Sequence, residues 1–208
     1  MDEIRIIPKI WGREEIFVNQ KYCGKKLVLK QGFRCSLHFH KKKDETFYIY
    51  RGSVLMEVGD RTRVMRQGDI QHIPPKIYHR FTGLVDSEII EFSTHDDPLD
   101  TERIQFSGQA NLRKAYDYDG VISENKIIPE PGAPIITGRS FEEIDKVNVE
   151  GHPIYFNPVT YSEKNTETEI KWKAEMISKL HIQLFYEDMP EIIVGLRKLC
   201  PDCEIVKV

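Results

Sequence analysis

The 208-residue chain has few cysteines: Cys23, Cys35, Cys200 and Cys203 are the 4 it holds. That is too few to staple a disulfide scaffold, and it points to reduced thiols in a cytoplasmic protein. No apolar run approaches the roughly 20 residues of a membrane-spanning helix, so no membrane partner is expected. The opening Met1-Asp2-Glu3-Ile4-Arg5 places acids before any apolar stretch and lacks the form of a secretory signal. An excess of one charge is missing too. Lys and Arg number 30 against 33 Asp and Glu, and neither half is basic enough to draw a polyanion by field alone. Nucleic acid is therefore not an expected partner. Internal repeats and low-complexity segments are also lacking. What remains is an ordinary globular composition, 40% hydrophobic and 30% charged, long enough for one domain or two.

Turn residues divide the chain by rhythm. From Tyr22 to Thr94, short apolar runs are cut by Gly24, Gly32, Gly52, Gly59-Asp60, Gly68-Asp69, Pro74-Pro75 and Gly83. That spacing predicts an antiparallel sandwich or barrel without helices. A polar stretch at 94–107 interrupts the pattern. Beyond it, strand-like runs begin at Ala115, Pro134, Ile154, Gln183 and Glu204, with helix-like segments at 141–147, 168–180 and 191–199 among them. In the second helix Ile170, Ala174, Ile177 and Leu180 recur along one face. Strands alternating with helices predict a parallel, doubly wound sheet. Two domains are expected, 1–104 and 105–208.

The strongest chemical pattern lies between Gly32 and Gly83. His38 and His40 are two apart, so on a strand both imidazoles face one side. Glu45 opens the next strand, and His79 follows a Pro-rich turn. Three imidazoles and a carboxylate suit a divalent ion such as Zn, Fe, Mn or Ni. Gly32, five residues, His38-Phe39-His40, four residues, Glu45, six residues, Gly52 resembles the first motif of the cupin superfamily. Gly68, Pro74 and His79 resemble its second, with Lys76 where a glycine is usual and Gly83 where an asparagine is usual. The resemblance implies an all-β cupin barrel (double-stranded β-helix) over 1–104, with metal ligands His38, His40, Glu45 and His79. It also implies a homodimer formed through the barrel.

Pro8-Lys9-Ile10-Trp11-Gly12-Arg13-Glu14, Cys35-Ser36-Leu37 and Ile73-Pro74 look like the cupin module of mannose-6-phosphate isomerases and related sugar-locus cupins. That likeness implies metal-dependent isomerase chemistry on a sugar or sugar phosphate, for which no base stands out in the sequence. Arg80 and Arg103 are candidates to meet a phosphate. Two alternatives stay open: a barrel that only binds a sugar or dimerises, and a non-haem iron dioxygenase using the same ligands.

In the second half, Asp117 and Asp119 end a predicted strand, two residues apart. At the C-terminal edge of a parallel sheet such carboxylates border the crevice where ligands bind. Asp-x-Asp-Gly-Val resembles the first motif of the haloacid dehalogenase (HAD) superfamily. Ile135-Ile136-Thr137-Gly138-Arg139 looks like the second, Trp172-Lys173 at a helix start like the third, and Tyr186-Glu187-Asp188-Met189-Pro190-Glu191 like the acidic fourth. The resemblance implies a capless, Mg-dependent phosphomonoester hydrolase over 105–208. By it, Asp117 is the nucleophile, Asp119 the acid/base, Thr137 and Lys173 bind phosphate, and Asp188 joins Asp117 and Asp119 on Mg²⁺. Glu187 and Glu191 are secondary candidates, and Lys171 competes with Lys173. Only 17 residues separate Asp119 from Thr137, and Pro129, Pro131 and Pro134 leave little room there for a helix. A catalytically silent domain is the alternative.

Other features carry less. Cys200-Pro201-Asp202-Cys203 is half a zinc site at most, Lys41-Lys42-Lys43 reads as a solvated turn, and His72, His95, His152 and His181 lack partner spacing. The combined expectation is a bifunctional protein of carbohydrate metabolism acting on small sugars or sugar phosphates.

Overall fold

Inward and outward side chains alternate along the first half and fold it into two facing sheets. The computed structural model describes residues 3–147 and 149–208. It forms two compact units, Met1–Asn111 and Leu112–Val208. The first unit opens with β1 (Arg5–Lys9), β2 (Gly12–Asn19), β3 (Tyr22–Leu29), β4 (Phe33–Arg34), β5 (Leu37–His40) and β6 (Glu45–Arg51). It continues through β7 (Ser53–Val58), β8 (Arg61–Arg66), β9 (Ile70–Ile73), β10 (His79–Gly83), β11 (Ser87–Thr94), β12 (Thr101–Gln105) and β13 (Gly108–Gln109). One sheet runs β1-β2-β3-β11-β6-β9, and the other runs β12-β5-β10-β4-β13 with β7 and β8 branching from β10. All these pairings are antiparallel.

Leu27, Leu29, Phe47, Ile49, Met56 and Ile89 are among the side chains that close the barrel with a dry core. The same inward rows become charged toward the other end. Lys25 faces Glu91 across β3 and β11, and Glu45 lies on the row of Phe47 and Ile49. The interior is thus apolar where it is closed and ionic where it opens. Gly52 makes the turn into β7 at φ +80°, and a Cβ there would lie 2.4 Å from Ser87 Oγ. That motif glycine is fixed by both backbone angle and space.

Lys76 stands where the cupin pattern has a glycine, and it adopts the glycine conformation, φ +68°. Its N–H donates to His40 O at 2.7 Å, so the turn is tied to a candidate ligand strand. A left-handed non-glycine residue costs about 1–2 kcal/mol, of which glycine's extra chain entropy returns part. Lys76→Gly is therefore expected to stabilise the protein by roughly 0.5 kcal/mol, read as a higher urea midpoint at unchanged slope. Gly83, where asparagine is usual, has Lys30 O 2.7 Å from the site of a Cβ, so no larger residue fits without movement.

The expected boundary at 104 falls inside β12. That strand pairs with β5, and β13 pairs with β4, so the first unit extends to Asn111.

The second unit contains β14 (Lys114–Tyr116), β15 (Ile135–Ser140), β16 (Ile154–Asn157), β17 (Leu184–Glu187) and β18 (Glu204–Lys207). They form a parallel sheet in the order β16-β15-β14-β17-β18. Helix α1 (Thr166–Lys179) begins at a reciprocal cap between Asn165 and Thr168, and α2 (Pro190–Leu199) begins at Pro190. Both helices pack on the sheet face that carries Ala115, Phe185 and Ile205.

The expected fold class, a cupin barrel followed by a doubly wound HAD-like α/β domain, is corrected here. The chain is mostly β, 44% strand and 19% helix. A doubly wound sheet needs helices on both faces, and α1 and α2 share one. Among the described residues the β14–β15 connection holds only a distorted turn at Tyr118–Ile122, and the β15–β16 connection a 3₁₀ segment at Phe141–Lys146. Pro129, Pro131 and Pro134 deny the first of these a helix.

Candidate functional site

Cross-strand register assembles the histidines. His38 on β5 lies directly opposite His79 on β10, and His40 is two residues along from His38. Their ring nitrogens reach within 4.8 Å of one another. Each of two rings is oriented by a backbone carbonyl: His38 Nδ1 donates to Ser36 O at 2.8 Å, and His79 Nδ1 to Ile77 O at 3.0 Å. Donation from Nδ1 leaves the Nε2 lone pair free for a ligand role. Glu45 Oε1 lies 2.7 Å from His79 Nε2, yet both atoms are buried without a hydrogen bond. Two electron-rich atoms held this close in a dry wall need a proton or a metal ion between them. The donor set therefore fits a divalent transition metal.

Charge around the cluster is compensated in an unusual way. Lys43 is buried and contacts Glu45 at 2.8 Å, Glu91 at 2.5 Å and Asp96 at 3.3 Å. Lys25 reaches Asp96 at 3.0 Å, Glu91 at 3.4 Å and Glu14 at 3.7 Å. Burial works against the charge on Lys43, but Glu91, Glu45 and Asp96 outweigh it and raise its pKa. Burial also pushes Glu91 upward against the pull of Lys43 and Lys25. Glu45 is held below the usual carboxylate range because His79, Lys43 and His40 outweigh its burial.

Burial, helped by neighbouring His79, lowers His38 to about 3, and burial lowers His40 to about 4. Both rings are neutral at pH 7 and can take a metal without losing a proton. The unfolded chain, with histidines near 6.5, binds more protons than the folded one below that pH. The metal-free protein should lose stability as pH falls from 6.5 toward 4, by about 1.4 kcal/mol per pH unit for each histidine. Urea unfolding in EDTA at pH 7.5 and pH 5 measures this; equal midpoints would contradict it.

A cavity of about 550 Å³ opens onto the cluster, bordered by His38, His40, Glu45 and Glu91 among others. Residues 26–92 match the family model described as the cupin domain. This stretch is a cupin domain. Among solved structures, KdgF from Halomonas sp. is 19% identical, covering 41% of this chain and 80% of its own, with TM-score 0.40. Pac13 from Streptomyces, a nucleoside dehydratase, is 12% identical over 50% of this chain and 87% of its own, with TM-score 0.44. Oxalate decarboxylase from Bacillus subtilis is 18% identical over 49% of this chain and 30% of its own, with TM-score 0.43. No curated protein matches the chain. The match to the cupin domain ends at residue 92, and no comparison supports a fused HAD-like domain, which corrects the HAD assignment of 105–208.

The second unit nonetheless gathers ionic residues at the end of its sheet. Lys173, fully buried, lies 3.0 Å from Asp117, 2.8 Å from Glu187 and 2.7 Å from Glu169. Three carboxylates share one ammonium in a dry site. Burial raises Asp117 and Glu187 above the ordinary carboxylate range, with Lys173 opposing. Asp188 Oδ1 is buried without a hydrogen bond, Asp117 Oδ1 meets only the Lys173 ammonium, and Asp117, Glu187 and Asp188 bring oxygens within 4.8 Å. Hard oxygen donors with surplus negative charge fit Mg²⁺ or a similar cation. Gly120, at φ +72°, is required here, because a Cβ would fall 1.9 Å from Asp188 Oδ2.

Not every expected residue joins. Asp119 faces Arg139 in a bidentate pair at 2.6–3.1 Å, outside the Asp117–Glu187–Asp188 group. Thr137 is buried, and its hydroxyl accepts from Arg139 N at 3.1 Å. Lys173 sits mid-helix in α1 and not at a helix start, while Lys171 pairs with Glu167 at the surface. In the barrel, Arg80 turns outward to a bidentate pair with Glu57 at 2.6 and 2.7 Å. Lys43 is buried in the mouth, unlike the solvated turn expected for 41–43. Its position two residues before Glu45 was the available clue, since such residues share a strand face.

Proposed function

We propose that the cupin domain is a metal-dependent enzyme acting on a small carbohydrate, with His38, His40, Glu45 and His79 as ligands of Zn, Fe, Mn or Ni. The observation that carries this reading is the 2.7 Å approach of Glu45 Oε1 to His79 Nε2 without a hydrogen bond. When bound, the ion supplies a Lewis acid for a carbonyl and its neighbouring hydroxyl. The chain's own groups then orient the sugar and manage its proton. Ser36 and Ile77 carbonyls fix the His38 and His79 rings. Lys43 holds a proton at Nζ between Glu45 and Glu91. Glu91, with its raised pKa, borders the cavity and is the carboxylate suited to accept a proton from carbon and return it. This arrangement supports isomerase-type proton transfer. Deuterium uptake from D₂O next to the carbonyl of aldoses and ketoses, followed by NMR on metal-loaded protein, tests it. No uptake and no conversion across the panel would remove the isomerase reading.

A second reading concerns the second unit and rests on the surplus carboxylates around Lys173. We infer a Mg²⁺-dependent phosphomonoester hydrolase site, with Asp117 as nucleophile, Asp188 and Glu187 on the cation and Lys173 beside them, while Asp119, paired with Arg139, and Thr137, fully buried, take no part. Phosphate release from a broad phosphomonoester panel, compared with Asp117→Asn, decides it. A parent with no turnover fails it.

A further inference from the structure

We propose that Arg103 and Arg5 form an anion subsite at the mouth of the cupin cavity, so that its ligand is an anionic carbohydrate bearing a carboxylate or a phosphate. This deepens the metal-dependent reading above and rests on it. The argument begins with register. Arg103 on β12 lies directly opposite His38 on β5, which lies directly opposite His79 on β10. Directly opposed residues of antiparallel strands project to one face, with Cβ atoms about 5 Å apart. Arg103, His38 and His79 thus form one row across three strands, and Arg103 borders the cavity beside the candidate ligands. From the facing sheet, Arg5, Ile7 and Lys9 alternate along β1 and border the same cavity.

Charge pairing separates these arginines from the other cations. Lys9 is matched by Glu14 at 3.1 Å. Lys25 and Lys43 are matched by Glu14, Glu45, Glu91 and Asp96. Arg5 and Arg103 have no carboxylate partner among the described residues. A divalent ion would add positive charge to a cavity whose acids are already engaged. Both arginines are exposed, so a neutral sugar leaves their guanidinium groups to water and gains nothing from them. A carboxylate or phosphate satisfies their planar forks, and 550 Å³ is ample for one sugar unit.

The test is calorimetric titration of the zinc-loaded full chain with D-glucuronate, D-glucose 6-phosphate and D-glucose. At least one anion is expected to bind tenfold or more tightly than glucose. Arg103→Gln and Arg5→Gln should each weaken that anion about tenfold while zinc content stays at the parent value. The uronate and phosphate arms tell the two anion sources apart. The inference is overturned if glucose matches both anions, if neither anion binds, or if both variants bind anion like the parent. A parent that holds no zinc sinks the metal reading alone, and the same comparison on that protein still decides the anion subsite.

Discussion

His79→Gln should leave the barrel folded and strip it of transition metal. After zinc loading and dialysis, elemental analysis should fall from about one ion per chain to less than a tenth, an affinity loss of at least 100-fold. The reason lies in how few atoms could replace the ring. His79 is almost fully buried, its Nδ1 is committed to Ile77 O, and its Nε2 is the atom set against Glu45. Glutamine keeps side-chain volume against Phe47 but places no imidazole nitrogen at that point. His38→Gln should act likewise. His72→Gln should not, because His72 pairs with Asp44 on the exterior. Far-UV circular dichroism separates ligand loss from unfolding. Parent-level zinc in both folded ligand variants would dismantle the proposed site.

The barrel's chemistry was legible because it is local. Strand parity puts His38 and His40 on one face, and Gly52 announces a turn that only glycine can make. Lys76 is instructive as an exception: a motif position was violated, yet hydrogen bonding to His40 O keeps the left-handed turn. The ionic floor was not legible. Lys25 meets Glu91 only because β3 pairs with β11, and Lys43 is buried only because Glu91 and Asp96 arrive from distant sequence. A lysine in a run of three reads as solvated until its partners are in place. Arg80 and Arg103 looked equivalent in sequence, and pairing with Glu57 removes one of them from the mouth.

The second half shows a different limit. Alternating strands and helices indicate a parallel sheet, but they do not say which face each connection covers. The prolines at 129, 131 and 134 were the local sign that one face would lack an α-helix. Asp119 looked like a partner of Asp117, yet its carboxylate reaches Arg139. Glu187 was secondary in the sequence, because only the register Tyr116 to Tyr186 brings it beside Asp117. Motif order names candidates; strand register decides which of them meet.

Lys173→Met should destabilise the second unit by about 3–5 kcal/mol, the range for removing one partner of a buried ion cluster. The methionine fits the space but leaves Asp117, Glu169 and Glu187 without the ammonium that touches all three. Gly138 tightens the constraint, since a Cβ there would lie 2.3 Å from the Glu169 carboxylate, so these groups have little room to part. Lys171→Met, two residues away on the exposed face, should change stability by less than about 0.5 kcal/mol. Urea unfolding in EDTA, followed by intrinsic fluorescence of Trp172, reads both variants. Added Mg²⁺ should restore part of the Lys173→Met loss, because Asp117, Glu187 and Asp188 present their oxygens to one point. Equal stability of parent and Lys173→Met in EDTA would mean that the three carboxylates are already neutral, and that the cluster has no need of a cation.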